Sequence, residues 1–419
     1  MRSCALFLLK NLCANPRKSF LMNETAIPQA APASRPTDKN LSSGEPVTPL
    51  ATLLTQAAAP PELAAHCGTM TPRELDAPER ETAALASGAA VHDLGWLRRV
   101  AVHGEDRFRW LNGMVTNTVN ELAVNGGAWN LVLNAKGQIQ GDLHVWREGD
   151  NLDLTIAADQ YERLLAHLDR FIIMDDVELE PLTGETALGL AGPLAADVLK
   201  RLGLPALDAP LTSAHAVWNG SDVRVARSYG VLAPHYEIWT RATEIPALWQ
   251  ALIEADATPV GTVTLDAFRI AEGIPAYGID MAERDLPQET AQMRALSFNK
   301  GCYLGQEIVE RIHSRGSVHR SLRHLELSGP VPAAGTSLLL DGGAVAGQIT
   351  SAAELIFSAG KRIFALGMIR EEAGTRNQPF TYTAGTATGT ARILAVPPGL
   401  DASQRSESSL QDGLETRKI

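Results

Sequence analysis

The densest grouping of chemically capable residues is Asn299-Lys300-Gly301-Cys302-Tyr303-Leu304-Gly305-Gln306-Glu307-Ile308-Val309-Glu310-Arg311. Gly301 and Gly305 bracket the cysteine, which permits a tight backbone and close approach of a ligand. Leu304, Ile308 and Ile312 then recur at intervals of four, the stripe of an amphipathic helix. Cys302 is therefore expected just before a helix N-terminus, two residues from the cationic Lys300. Both neighbours favour the thiolate, the form of cysteine that acts as nucleophile, redox centre or metal ligand. A small buried cysteine behind a turn is the plainer reading. The paired glycines, Lys300 and the Gln306-Glu307 pair favour the functional one.

Immediately downstream, residues 311–324 carry four arginines, three histidines and no acid. Such an island suits carboxylates or phosphates, because the guanidinium fork matches both; a solvated loop paired with distant acids fits equally. Its histidines lack the paired short spacings of a zinc motif, and one cysteine lies nearby, so no self-contained metal site is expected. Upstream, Thr264–Gly273 reads as a helix closed by Gly273. Its Asp266, Arg269 and Glu272 are spaced three apart, which reads first as an ion-pair ladder on one face. The functional alternative leaves Arg269 free to grip a ligand carboxylate.

The elements that must position these residues alternate between strand-like and helix-like patterns. Trp96–His103 and Asn151–Ala157 read as strands, and Ala128–Asn134 with Gln138–Trp146 as a hairpin turning at Lys136-Gly137. Glu105–Asn112 reads as a short helix closed by Gly113, and Asp159–Phe171 as an amphipathic helix. Strands near 185–192 and 222–240 and helices near 194–202, 242–254 and 265–273 complete a mixed α+β region. After about residue 322 helical patterns stop. Short apolar runs punctuated by glycine there predict a small antiparallel β-barrel or sandwich.

The chain has 419 residues, 37 Lys plus Arg against 48 Asp plus Glu, and a net charge of -11, a balance that argues against direct nucleic-acid binding. Its 45% hydrophobic and 20% charged residues match a globular protein. Cys4, Cys13 and Cys67 stand apart from Cys302, so a disulfide framework is not expected and a reducing compartment, the cytoplasm, is. No apolar run is long enough to cross a membrane. Seven of the 24 prolines fall between Pro28 and Pro61, and residues 1–62 are expected to be a disordered arm. An extended start, with Met22 or Met70 as initiator, is preferred over a transit-like presequence. The expected organisation is a two-lobed region over 63–322, a β-barrel over 323–400 and a disordered tail over 401–419.

The run Lys300-Gly301-Cys302-Tyr303-Leu304-Gly305-Gln306-Glu307 resembles the signature of the YgfZ family of folate-binding proteins, within the wider group of glycine-cleavage T-protein-like (aminomethyltransferase-like) folds. Supporting similarities are Leu111-Asn112-Gly113-Met114-Val115-Thr116-Asn117, the Lys136-Gly137 hairpin with Gly141-Asp142-Leu143, Arg269-Ile270-Ala271-Glu272-Gly273 through Glu289, and Gly347-Gln348-Ile349-Thr350-Ser351. Together they span roughly residues 80 to 396. The resemblance implies an α+β, three-lobed ring, with two mixed lobes around a tetrahydrofolate site and a C-terminal antiparallel β-barrel. It implies an accessory role in iron-sulfur protein maturation or repair, affecting tRNA modification through an iron-sulfur enzyme. Folate, iron-sulfur proteins and their assembly factors would be the partners. Cys302 and Lys300 would carry the activity, and Asp142, Glu237, Arg269 and Asn117 would face the folate, Arg269 near its tail. T-proteins carry two adjacent aspartates where this chain has Gly141-Asp142, and a Gly-Tyr-Thr-Gly-Glu run where it keeps Glu237 as its acid. Those departures make aminomethyl transfer the second reading, and a non-catalytic scaffold docking an acidic partner the third.

Overall fold

The structure is a computed structural model, and it describes residues 45–376 and 378–395. A five-stranded antiparallel sheet runs in the order Gly127–Leu133, Ile139–Glu148, Asn151–Ala157, Leu97–His103, Glu178–Leu182. Along Ile139–Glu148 the alternation of strand geometry buries Ile139, Leu143 and Val145 and turns Asp142 and His144 to the opposite face. Helices Arg107–Met114 and Ala158–Asp169 supply Trp110, Leu111, Met114, Leu164 and Leu168 to the core over this sheet.

The second sheet has six strands in the order Thr212–Trp218, Ser221–Ser228, His235–Arg241, Glu185–Ala191, Ala90–Asp93, Thr258–Pro259. Only its last pairing is parallel. Helices Ala195–Arg201 and Ile245–Glu254 cover it through Val198, Leu199, Leu248 and Leu252. Strand Ala90–Asp93 precedes the first sheet in sequence but pairs with the second, so the two lobes are interleaved along the chain. The C-terminal six strands, between Arg320 and Ile393, close into an antiparallel barrel. Helix Thr262–Ala271 packs Phe268, Ile270 and Ala271 against the barrel's Leu322, Phe364 and Leu366.

The α+β architecture with a C-terminal barrel is thus as expected, and several boundaries are not. The proposed 1–62 arm ends early: Pro49–Leu54 is a helix capped by Thr48, and Leu50 and Ala51 are buried. Burying Leu50 contributes roughly 1.5–3 kcal/mol, enough to hold a six-residue helix that local composition disfavours. A start at Met70 would remove that helix and the strand Leu63–His66, which pairs with Thr69–Pro72. Residues 1–44 and the 401–419 tail lie outside the described residues. Gly113 sits inside its helix, which Val115 ends in an extended conformation. A short helix, Glu371–Gly374, interrupts the barrel strands.

Candidate functional site

The 299–305 loop is held on three sides. Leu304 N donates to the Gly113 carbonyl at 2.9 Å, placing the cysteine segment on the end of the Arg107–Met114 helix. Lys300 turns inward, and its Nζ donates to the carbonyls of Val115 (2.7 Å) and Asn117 (2.5 Å). Burial pushes its pKa down to about 7. Gly305 adopts φ +82°, and a Cβ there would stand 2.6 Å from the Asn134 carbonyl oxygen. Gly137, at φ +72°, lies against Gly305 and Ile308 from the hairpin side, so only glycines allow the hairpin and the loop to meet. Tyr303 and Val309 bury with Trp129, Leu133, Ile139 and Leu296 in one apolar cluster beneath the loop. Gln288 Nε2 donates to the Val309 carbonyl at 2.8 Å, tying the connecting segment between helix Thr262–Ala271 and the 299–305 loop to helix Gln306–Arg315, which follows that loop.

Cys302 itself is exposed and unbridged. The helix begins at Gln306, four residues later, and the Lys300 ammonium is engaged by carbonyls. The expected pairing of the thiol with a helix N-terminus and an adjacent cation is therefore corrected. What the fold provides is presentation: a thiol on a rigidly mounted, solvent-facing loop. The basic island downstream is also partly spent, since Arg320 pairs with Asp285 (2.8 Å) and Glu289 (3.1 Å), and Arg323 with Glu371 (2.9 Å).

Asp142 and Glu237 come together around His144. The Oδ2 of Asp142 accepts from Trp129 Nε1 (2.8 Å) and its Oδ1 from Gln160 Nε2 (3.0 Å), which fix the carboxylate. The buried Glu237 accepts from Trp239 Nε1 at 2.9 Å. Burial drives His144 below the ordinary histidine range, opposed by the charges of Glu237 and Asp142 and reinforced by Arg294. His144 and Glu237 line an inner cavity of about 180 Å³ with His92, His235, Trp96 and Thr155. Burial, with His235 beside it, lowers His92 to about 3. His235 moves the other way: burial opposes its charged form, but Glu272, at 3.1 Å in a close ion pair, outweighs burial and raises it. Glu272 also lines an outer cavity of about 330 Å³ with Tyr229, Val231, Ile274, Met293 and Arg294, so the His235–Glu272 pair stands between the two cavities.

The other two candidates serve the scaffold. Arg269 donates from Nε to Asp266 (2.8 Å) and from Nη1 to the buried Asp280 (2.7 Å) and the Ile274 carbonyl (3.1 Å). Asp280 also accepts from Thr350 and Ser351 Oγ atoms, each at 2.6 Å, so the Gly347–Ser351 run docks the barrel onto this clasp. Arg269 is thus paired through Nε and Nη1, and its buried Nη2 alone is left without a hydrogen-bond partner among the described residues. Asn117 donates from Nδ2 to the Trp129 (3.3 Å) and Arg294 (2.9 Å) carbonyls, linking the Lys300 anchor to the Asp142 wall. Sequence reading missed His144, Trp129, His235 and Arg294, and it put Glu272 in the Arg269 ladder, whereas Glu272 pairs with His235. The two-residue periodicity that places His144 beside Asp142 was a usable signal; the others are contributed by distant segments and had none.

Residues 64–300, more than half of the chain, match the model of the GCVT N-terminal domain. The chain belongs to the GCVT N-terminal domain family. Within the described residues the matched stretch holds both cavities and Lys300. Cys302 and the barrel lie beyond it. An aminomethyltransferase of Rubrobacter xylanophilus is 29% identical over 277 residues, covering 65% of this chain and 74% of its own. A chloroplastic protein of Arabidopsis thaliana, named only as a transferase, is 26% identical over 299 residues, 70% of this chain and 68% of its own. The glycine cleavage aminomethyltransferase T of Bartonella henselae superposes with a TM-score of 0.75 at 19% identity, over 84% of this chain and 98% of that structure. The GCVT-type fold therefore extends through the barrel.

Proposed function

We propose that this member of the GCVT family is a cytoplasmic, tetrahydrofolate-binding accessory factor for iron-sulfur protein maturation or repair, acting through Cys302. The observation that carries the reading is the mounting of Cys302. The cysteine octapeptide, the 111–117 segment and the Lys136-Gly137 hairpin, three runs far apart in sequence, converge to hold one exposed thiol. A buried structural cysteine would need no such mounting. Cys302 offers one thiolate where a cluster takes about four ligands, so a client protein or a small thiol supplies the others. Asp142, Glu237 and His144 form the polar wall we assign to the folate, and Lys300, with Asn117, the link from that wall to the thiol loop. Effects on tRNA would then arise through an iron-sulfur enzyme and not through RNA contact by a chain of net charge -11.

Aminomethyl transfer is the second reading, favoured by the fixed Asp142 carboxylate and the aminomethyltransferase relatives. Titration with tetrahydrofolate, followed by incubation with an aminomethyl-lipoyl donor, separates the two. Saturable binding without methylenetetrahydrofolate formation supports the accessory role. Turnover establishes the transferase, and no saturable binding defeats both. Loss of an iron-sulfur-dependent tRNA modification in Cys302→Ser cells tests the thiol's part.

A further inference from the structure

We infer that Arg294 recognises the carboxylates of the folate glutamyl tail in the outer cavity. The inference rests on the folate reading and adds a residue to it, Arg269 being already paired by Asp266 and Asp280. The Arg294 guanidinium lies 3.6 Å from the Tyr229 ring centroid and 4.9 Å from that of Trp129, so two aromatic rings fix its plane. Burial lowers its pKa, with Tyr229 and Glu272 the groups that support its charge. Among the described residues no carboxylate forms an ion pair with it, and its Nε is buried without a hydrogen-bond partner. Glu272 does not serve as that partner. Its Oε1 accepts from Val231 N (2.8 Å) and Leu232 N (2.9 Å), and its Oε2 faces His235.

A largely desolvated guanidinium without an anion is costly, and a planar carboxylate is the group its fork matches best. The cavity it lines, of about 330 Å³, is rimmed by the exposed Tyr229, Val231 and Met293, so its outer end opens at the surface. The smaller inner cavity, beyond the His235–Glu272 pair, suits the flat heterocycle. A folate with its pterin inward therefore brings its two tail carboxylates to Arg294.

The test is calorimetric titration of the full chain, as wild type, Arg294→Gln and Arg294→Lys, with tetrahydrofolate, tetrahydropteroate and p-aminobenzoylglutamate. The first and third carry the two glutamyl carboxylates; the second lacks both and ends in a benzoate carboxylate fixed on the ring, short of the tail position. Arg294→Gln should weaken tetrahydrofolate and p-aminobenzoylglutamate by about 10- to 100-fold, the size of a lost charge-assisted hydrogen bond, and leave tetrahydropteroate within about twofold. Arg294→Lys, which keeps the charge and loses the fork, should fall between and remains informative if the glutamine variant fails to fold. Unchanged affinities in both variants, or equal loss of tetrahydrofolate and tetrahydropteroate, overturn the inference and leave the folate reading intact. Binding of p-aminobenzoylglutamate alone, lost in Arg294→Gln, keeps the carboxylate site and defeats the folate reading. Wild-type protein that binds none of the three overturns both.

Discussion

Replacing Gly305 by alanine should loosen the whole cysteine loop, whereas the same change at Gly301 should be nearly silent. Gly305 has φ +82°, a conformation that costs an ordinary L-residue roughly 1–2 kcal/mol. Its added Cβ would meet the Asn134 carbonyl oxygen at 2.6 Å, the Gly137 Cα at 3.0 Å and the Leu133 Cβ at 3.1 Å. Two of those three atoms are backbone, so the hairpin and the loop must part by several tenths of an ångström, an overpacking cost of roughly 1–3 kcal/mol. The sum is about 2 to 5 kcal/mol. Gly301 lies outside the left-handed region and faces open space, so its alanine variant should stay within about 0.5 kcal/mol of wild type. Urea denaturation midpoints measure both. Rates of Cys302 labelling by an aromatic disulfide, taken as the difference from the matching Cys302→Ser protein, should change in Gly305→Ala only. Equal stability and equal labelling in the two alanine variants would refute the claim that Gly305 and Gly137 mount the thiol.

The Lys300 ammonium gives a pH signature. Its folded pKa of about 7 lies below the ordinary 10.5, so between those values the unfolded chain holds the extra proton and stability rises with pH. Wild type should gain up to about 1.4 kcal/mol per pH unit above pH 7, and Lys300→Met should lose that slope in urea titrations across pH 7 to 9.5. The His235–Glu272 pair behaves differently. Glu272, lowered by His235 and two backbone amides against its burial, contributes stability that is lost as pH falls below its ordinary 4.5. His235, raised by Glu272, contributes stability fully present below 6.5 and lost as pH rises through its folded value. Glu272→Gln should therefore cost most near pH 5 to 6 and less at pH 9, as read from thermal melts.

The strands and helices with strong periodicity, such as Ile139–Glu148 and Ala158–Asp169, were legible because each buries one continuous face. The Thr212–Trp218 and Glu178–Leu182 strands were not, since both are sheet edges with many exposed side chains and weak apolar alternation. Local composition likewise hid the Pro49–Leu54 helix, whose order comes from tertiary burial of Leu50 and Ala51. At the site, the octapeptide announced its own importance, but the direction of Lys300 did not follow from a spacing of two residues. It depends on carbonyls some 180 residues away in sequence, at Val115 and Asn117. Arg269 illustrates the same limit. Its helical spacing correctly pointed to an ion pair with Asp266, while Asp280, Thr350 and Ser351, which complete the clasp, arrive from the connecting segment and the barrel.

The central claim is that the exposed thiol of Cys302, and not the folate cavity alone, carries the activity. Its most direct measurement is complementation in cells lacking their native copy, with an iron-sulfur-dependent tRNA modification quantified from total tRNA. Wild-type protein should restore the modification, and Cys302→Ser, accumulated to the same level and binding tetrahydrofolate equally, should not. Full restoration by Cys302→Ser would contradict the account.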